Sequence, residues 1–310
     1  MAKKQMKCGV CGELGHKRNN RYFHPVEGQE VKPKKEKKKR EGGVGGASLK
    51  NEDNFIHNFN TNTEFMNTFI QKSGLEGTSW VAKKPTKKEG FSVIQTGTWK
   101  LYKSGTKECS PTPKTDVVLV NTETSEFVGI SLKSGVGRAT SADAFETSAI
   151  LLSVLEEFSD NEELESLVKK LVEGMLRQKL TKSELNMTQM KQTFADNPEG
   201  LGFDKEFTWY TNFINSCKTC NLIWSQIVKD YPEYKYAVIK ECLVGRHKFG
   251  ENIGKANLLV ILESSDSANV DKVINLKESN PELQDYCSNI GKGNCFAAKS
   301  SGSTLWMRFL

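Results

Sequence analysis

Three residues in the middle of the chain bring a carboxylate, a hydroxyl and an amine to the ends of two apolar segments. Asp116 opens DVVLV and Lys133 closes FVGISLK, with Ser131 two residues before Lys133. A polar turn separates the two β-rich segments, which predicts neighbouring strands. In a hairpin Asp116 and Lys133 lie near one open end, and Ser131 and Lys133 share a face. A carboxylate and an amine that converge at the end of a hairpin can hold a divalent metal and orient a water. These are the minimum requirements for hydrolysing a phosphodiester.

A second acid, Glu146, follows Lys133 with twelve residues between them. It falls in the first turn of a helix predicted over 142–158, from which its side chain can reach back toward the strand. The segment SGVGRATSA between them is rich in small residues and carries Arg138, so it can approach a DNA backbone and supply a positive contact. An ordinary connecting loop is the alternative interpretation of this segment.

Asp116, Lys133 and Glu146 resemble the site of the PD-(D/E)xK nuclease superfamily, whose core is a hairpin carrying Asp, then Glu or Asp, then Lys. Ser131 stands where that pattern expects an acid, and serine is a poor Mg²⁺ ligand. One restriction-enzyme branch carries SxK followed about a dozen residues later by Glu, which SLK at 131–133 and Glu146 match. The resemblance implies that Asp116 and Glu146 bind Mg²⁺, that Lys133 positions the attacking water, and that Ser131 sits beside the metal. A surface hairpin with incidental charges is the alternative.

A group of metal-binding residue types lies near the N-terminus, in the string KCGVCGELGHKRNNRYFHP. Two cysteines and two histidines match the four ligands of a tetrahedral Zn²⁺ ion. Bound Zn²⁺ would fold a segment that is too small to fold by itself. The segment resembles a zinc knuckle, C-x2-C-x4-H-x4-C, in which Cys8, Cys11 and His16 match and the last Cys would fall at Arg21. We therefore expect His24 to be the fourth ligand. An unstructured tail with stray Cys and His residues is the alternative.

The basic charge is concentrated at the N-terminus. Residues 1–50 hold fourteen Lys and Arg residues against five acids, whereas the rest of the chain holds 30 against 33. Such an asymmetry favours a partner with dense negative charge, most simply nucleic acid, with a solubilising tail as the alternative. We expect DNA contacts from the basic residues around the zinc cluster and from those that follow a predicted helix in GRHKFG. These residues are Lys17, Arg18 and Arg21, and Arg246 and Lys248.

Composition divides the chain into a zinc-knuckle-like module (1–25), a basic, glycine-rich flexible linker (26–50) and a nuclease domain (51–310). Within the last, apolar residues at helical spacing run from Phe55 to Ile70 and stop at Gly74. Strands are predicted over 91–103, 116–120, 127–133, 256–262 and 270–276, helices over 142–158, 161–180, 207–228 and 234–244, and a closing hairpin from CFAAK and TLWMRFL. This mixture predicts an α/β (α+β) domain with a mixed sheet flanked by helices.

Composition also excludes several classes of protein. No segment approaches the roughly 18 uncharged apolar residues of a membrane helix, and the N-terminus lacks the apolar run of a signal peptide. We therefore expect no membrane partner. Eight cysteines without a secretion signal indicate a reducing compartment, so we expect a cytoplasmic protein, nucleoid-associated or, in a eukaryotic host, nuclear. The chain has no GxxxxGK[ST] loop, which argues against ATP-driven action. Cys217 and Cys220 share a helix face and are predicted to be core thiols.

The sequence therefore predicts a Mg²⁺-dependent DNA endonuclease with an additional Zn²⁺ module, most simply a sequence-specific type II restriction-type enzyme. Double-stranded DNA is the expected partner, and symmetric cutting of both strands would favour a homodimer. Two alternatives stay open. One is a non-catalytic nucleic-acid-binding protein that uses the zinc knuckle for recognition. The other is a viral or phage nuclease for DNA repair or for RNA processing, and an RNA-processing enzyme would have RNA as its substrate.

Overall fold

The computed structural model describes residues 44–86, 113–134, 140–176, 185, 187–263, 269–277, 280–293, 295–298 and 305–309. The chain divides into two units, Met1–Gly46 and Ala47–Leu310, and the described residues belong almost entirely to the second. Several predictions fall outside the described residues. They are the zinc ligands Cys8, Cys11, His16 and His24, the basic residues Lys17, Arg18, Arg21 and Arg138, and the strand over 91–103.

The described part of the chain contains the predicted helices and several that were not predicted. They are α1 (Val44–Thr61), α2 (Thr63–Ser73), α3 (Ala144–Leu155), α4 (Glu162–Leu176), α5 (Met187–Asp196), α6 (Asp204–Asp230), α7 (Pro232–Val244), α8 (Arg246–Phe249) and α9 (Pro281–Asn289). Helix α1 begins at Val44, within the segment predicted to be a linker. Gly74 ends α2 with a φ of +68°, a conformation that glycine adopts without steric cost. No helix in these described segments is both long and apolar enough to cross a membrane.

The strands form a mixed five-stranded sheet and a smaller three-stranded one. They are β1 (Trp80–Lys83), β2 (Val117–Asn121), β3 (Phe127–Ser134), β4 (Thr140–Asp143), β5 (Leu258–Leu262), β6 (Val270–Asn275), β7 (Phe296–Ala298) and β8 (Leu305–Phe309). The larger sheet has the order β1-β2-β3-β5-β6, and the smaller one β4-β8-β7. All neighbouring strands are antiparallel except β3 and β5, which run parallel. The parallel pair therefore requires the crossover that the helices α3 to α8 supply.

Strands β2 and β3 form the hairpin that the sequence predicts. Val117 pairs with Ile130, and the two strands stay in register to Val120 and Phe127. The turn is closed by the Asn121 side chain, whose Oδ1 accepts hydrogen bonds from the backbone N–H groups of Glu123 and Thr124. This is the local capping for which asparagine is favoured in turns.

Both faces of the larger sheet are covered, because each face carries its own apolar core. On one face, the aromatic side chains of α1 and α2 pack on alternate strand residues, which include Ile130, Leu132 and Val260. Phe55 makes edge-to-face contacts with Phe65 and Phe69 in this core. The other face, which includes Leu259, packs against α3, α4, α6 and α7. Alternation along each strand thus decides which of the two cores receives a given side chain.

The predicted class, a mixed α/β domain with a mixed sheet, is confirmed. The predicted strands over 116–120, 127–133, 256–262 and 270–276 and the closing hairpin are present, as are the main helices within a few residues. Five elements were not predicted, namely β1, β4, α5, α8 and α9. None of them is longer than ten residues. Helix α9 nevertheless begins with a recognisable cap, because the Asn280 side chain accepts a hydrogen bond from the N–H of Glu282.

Cys217 and Cys220 lie on α6, and their burial confirms the prediction of core thiols. Cys220 is fully buried, and Cys217 packs partly buried against the same core. Burial raises the pKa of Cys217 to about 11 and that of Cys220 to about 12. Both therefore remain protonated at neutral pH, unlike the thiolates that bind metals.

Candidate active site

The segment that leads into β2 is fixed to two neighbouring parts of the fold before it reaches Asp116. The N–H of Lys114 donates to the carbonyl oxygen of Gly254, and the Thr115 hydroxyl donates to that of Lys255, both at 2.9 Å. The N–H of Asp116 then donates to the carbonyl oxygen of Ile130 on β3. Two backbone hydrogen bonds and one from a side-chain hydroxyl thus hold three successive residues, so the position of the Asp116 side chain is set by the surrounding fold.

Gly129 makes this path possible. A Cβ atom at residue 129 would lie less than 3.0 Å from both the Lys255 carbonyl oxygen and the Thr115 hydroxyl oxygen. The Thr115–Lys255 hydrogen bond therefore crosses directly over β3 at Gly129. The need for glycine here comes from close approach of the chain and not from an unusual backbone conformation.

Asp116 and Lys133 meet at one end of the hairpin, as the sequence predicts. The Nζ atom of Lys133 lies 3.3 Å from Oδ2 of Asp116, and the N–H of Leu132 donates to the same oxygen at 2.7 Å. The two side chains are 27% and 29% exposed. Oδ1 of Asp116 receives no hydrogen bond from any residue that the structure describes, so this oxygen is left to face a metal ion, a water or a substrate.

Ser131 lies opposite Asp116 in the hairpin, on the face of β3 that also carries Lys133. This follows from the Val117–Ile130 register and from the packing of Leu132 in the α1–α2 core on the other face. Ser131 is only 3% exposed. Ser131 is therefore on the same face as Lys133 but, unlike Asp116 and Lys133, is buried.

Glu146 lies in the first turn of α3, as predicted, and two lysines bind its carboxylate. Its Oε1 atom lies 2.9 Å from Nζ of Lys114 and 3.1 Å from Nζ of Lys248. Burial by itself would raise the pKa of Glu146, but the two ammonium groups outweigh burial and lower it. Burial would likewise lower the pKa of Lys114, and the Glu146 charge reverses that shift. The three residues form a charged cluster, Lys114–Glu146–Lys248, that is largely shielded from solvent.

The two predicted DNA contacts in GRHKFG differ in accessibility. The Lys248 side chain is 1% exposed, is paired with Glu146 and lies over the Phe249 ring. Its predicted contact with DNA stays a prediction, and its burial favours a structural role. Arg246 is 47% exposed, and its guanidinium lies 2.5 Å from the Glu157 carboxylate. Arg246 therefore has surface to offer a phosphate, whereas Lys248 has very little.

Glu52 on α1 is a candidate functional residue that sequence reasoning missed. Its side chain is 14% exposed, and its pKa is raised, first by burial and next by the negative charge of Asp116. Lys84 lies 3.7 Å away and partly offsets this shift. Glu52 precedes the buried Phe55 and Phe59 by three and seven residues, which places an acid on the buried face of α1. An acidic residue on an otherwise apolar helix face is the signal by which the sequence could have indicated Glu52.

Glu241 is a second buried acid near the charged cluster. It is 5% exposed at the end of α7, and burial raises its pKa to about 7. The N–H of His247 donates to its Oε1 atom at 2.9 Å, so the carboxylate caps the first turn of α8. The positive charge of Lys114 opposes the shift without cancelling it.

The residues around Asp116 fit a Mg²⁺ ion held by few protein ligands. Within the described segments, no group of three or more His, Cys, Asp or Glu residues could hold a metal. Mg²⁺ is commonly bound through one or two carboxylates and several waters. Oδ1 of Asp116 has no hydrogen bond with any described residue, and the Asp116 charge raises the pKa of Glu52. Glu146 would have to release one of its two lysine partners in order to bind the metal.

We compared the chain with protein-family models, with curated proteins and with solved structures, and none of them matched. The functional assignment therefore depends on the geometry of the site itself.

Proposed function

We propose that this protein is a Mg²⁺-dependent endonuclease that hydrolyses DNA phosphodiester bonds. The observation that carries the proposal is the pairing of Asp116 with Lys133 at one end of the β2–β3 hairpin, with Nζ and Oδ2 3.3 Å apart. Both side chains are partly exposed, at the end of a sheet whose two faces are otherwise covered. This is the arrangement of Asp and Lys that the PD-(D/E)xK resemblance implies for a restriction-endonuclease-like core.

The chain supplies separate groups for the separate needs of the reaction. Asp116 is held by the N–H of Leu132 and keeps its second oxygen for a ligand. The Lys133 ammonium, next to that carboxylate, can orient the attacking water and stabilise negative charge on the phosphoryl oxygens. A bound Mg²⁺ would polarise the phosphodiester and lower the pKa of a water. Ser131, buried on the same strand face as Lys133, contributes no charge.

The second acid has two candidates, and their surroundings differ. The resemblance implies Glu146, whose carboxylate is bound by Lys114 and Lys248. The negative charge of Asp116, which raises the pKa of Glu52, supports Glu52 instead, because a bound cation would favour both ionised carboxylates. We propose Asp116 and Glu52 as the carboxylates nearest the metal, with Glu146 as the alternative ligand.

The N-terminal basic segment suits the same substrate. Zn²⁺ bound by Cys8, Cys11, His16 and His24 would order a small module, and the basic linker would attract the DNA backbone with a strong dependence on salt. We propose double-stranded DNA as the substrate and a type II restriction-type activity. A viral or phage enzyme for DNA repair or RNA processing is the related alternative.

Digestion of mixed-sequence plasmid and phage DNA in Mg²⁺ tests the proposal. Asp116→Asn and Lys133→Met should each lower cleavage by at least about a hundredfold. Lys277→Met, at an exposed residue beyond β6, is the matched control and should cut like the wild type. Discrete fragments would indicate sequence specificity. Cleavage that survives both active-site substitutions, or that persists in EDTA, would contradict the assignment.

A non-catalytic nucleic-acid-binding protein is the second candidate. The observation that favours it is that Ser131 replaces an acid and that Glu146 is already neutralised by two lysines. In that case the protein would bind DNA or RNA without cutting it, and removal of Zn²⁺ by a chelator would abolish the binding. Gel-shift assays on both nucleic acids, with and without chelator and alongside the digestion assay, separate the two functions.

A further inference from the structure

A second lysine, Lys272, lies level with Lys133 across the larger sheet. Lys133 on β3 pairs with Ile261 on β5, and Ile261 pairs with Lys272 on β6. Residues paired directly across strands stand side by side, and adjacent strands are about 4.8 Å apart. The backbones of Lys133 and Lys272 are therefore separated by two strand spacings, or about 9.6 Å.

The two lysines also lie on the same face of the sheet. Leu132 packs in the α1–α2 core, so the next residue, Lys133, faces the opposite side. On β6, Val273 packs against the α1–α2 core while Ile274 is buried in the other core. Lys272 precedes Ile274 by two residues and shares its face, which is the face of Lys133.

Lys272 is partly buried, yet it has no ion pair and no side-chain hydrogen bond with any residue that the structure describes. Lys114 and Lys248 pair with Glu146, and the buried Lys235 donates to the carbonyl oxygen of Ser288. No side chain that the structure describes neutralises the Lys272 charge, so an anion supplied by a ligand can pair with it.

We propose that Lys272 binds a phosphate of the substrate strand at a distance from the bond that is cut. The inference rests on the proposed function, in which Lys133 lies at the scissile phosphate. Successive phosphates of a duplex strand are about 3.4 Å apart along the axis and farther apart through space, so a contact about 9.6 Å away falls on a phosphate within three nucleotides of the cut. The substrate is then a nucleic-acid strand that crosses the end of the sheet from β3 to β6, and a mononucleotide diester is too short to use Lys272.

Two substrates of different length test this contact. Lys272→Met keeps the apolar stem of the side chain and removes the charge, and Lys277→Met removes an exposed charge just beyond the same strand. Hydrolysis of an oligonucleotide duplex and of bis(p-nitrophenyl) phosphate is measured for each variant in Mg²⁺. For Lys272→Met the ratio of kcat/KM for the duplex to that for the small diester should fall about tenfold. For Lys277→Met the ratio should not change, and Lys272→Arg should restore it.

A fall in both activities by the same factor would show a structural role for Lys272 and overturn the proposal, as would an unchanged ratio. Binding of a fluorescein-labelled duplex without divalent metal gives a second readout that does not need hydrolysis. Lys272→Met should reduce the slope of log affinity against log salt concentration by about one. If no variant hydrolyses either substrate, the proposed nuclease activity fails. The binding slope then decides the Lys272 contact by itself, and an unchanged slope overturns it.

Discussion

The Nζ atom of Lys114 lies 2.9 Å from Oε1 of Glu146, which joins the segment before β2 to the first turn of α3. Lys114 precedes Asp116 by two residues, and Lys248 binds the same Glu146 oxygen from α8. One carboxylate therefore holds together three parts of the chain that are distant in sequence. The charged cluster supports the position of Asp116 whether or not Glu146 also contacts a metal.

Glu146→Gln should lower the free energy of unfolding by about 3 kcal/mol at neutral pH, because two shielded ammonium groups lose their counter-ion. The pKa of Glu146 is lowered in the folded protein. Its contribution is therefore present above its ordinary pKa of 4.5 and is lost as the pH falls below that value. Urea denaturation at pH 7 and pH 4 measures the difference. Glu157→Gln, at an exposed ion pair with Arg246, is the control and should cost less than about 1 kcal/mol.

The Mg²⁺ dependence of cleavage distinguishes the two roles of Glu146. If it only pairs with lysines, folded Glu146→Gln should require the same Mg²⁺ concentration for half-maximal cleavage as the wild type. If it is a ligand, that concentration should rise at least about tenfold. We expect the first result.

Glu52→Gln should lower Mg²⁺-dependent cleavage by about a hundredfold or more while leaving the protein folded. The pKa of Glu52 is raised by burial and by Asp116, so the ionised form is a disadvantage to the folded state at neutral pH. The neutral amide should therefore not reduce stability. Glu64→Gln, at an exposed acid in the first turn of α2, is the matched control. Retention of full cleavage by Glu52→Gln would exclude Glu52 from the site and leave Glu146 as the second acid.

Glu241→Gln should make stability less dependent on pH. Burial raises the pKa of Glu241 to about 7. The contribution of its neutral carboxyl to the stability of the folded wild type is therefore fully present below pH 4.5 and is lost as the pH rises through about 7. The loss amounts to at most about 3 kcal/mol. An amide oxygen can still accept the hydrogen bond from His247, so the variant should gain relative to the wild type at pH 8. Thermal unfolding at pH 5 and pH 8 compares the two proteins, and parallel curves would contradict this role of Glu241.

Gly129→Ala should destabilise the protein by about 1–3 kcal/mol, because the added Cβ would clash with the Lys255 carbonyl and the Thr115 hydroxyl. Displacement of Thr115 would move the adjacent Asp116, so cleavage should fall by more than the loss of folded protein explains. Denaturation and single-turnover cleavage on the same preparation separate the two effects. A stable variant with unchanged cleavage would show that the backbone relaxes at this point.

Local features of the chain were largely predictable. The β2 and β3 segments are rich in β-branched residues and flank an Asn-containing turn. Interactions between residues close in sequence therefore suffice to predict the hairpin and the meeting of Asp116 and Lys133 at one of its ends. The long helix α4 follows from apolar periodicity, whereas α7 is buried on most of its sides and shows little periodicity. Strand β1 has only four residues, and a pattern that short does not distinguish a strand from a loop.

The amino-acid sequence by itself thus determined the mixed α/β class, the hairpin and the joint position of one acid and one lysine. Only the tertiary structure decided which other charges lie near them. It brought Glu52 close to Asp116, gave Glu146 two lysine partners and placed Lys272 level with Lys133. The physical reason is that strand order and helix packing bring together residues separated by long stretches of chain, whereas spacing along the sequence reports only on neighbours within one or two elements.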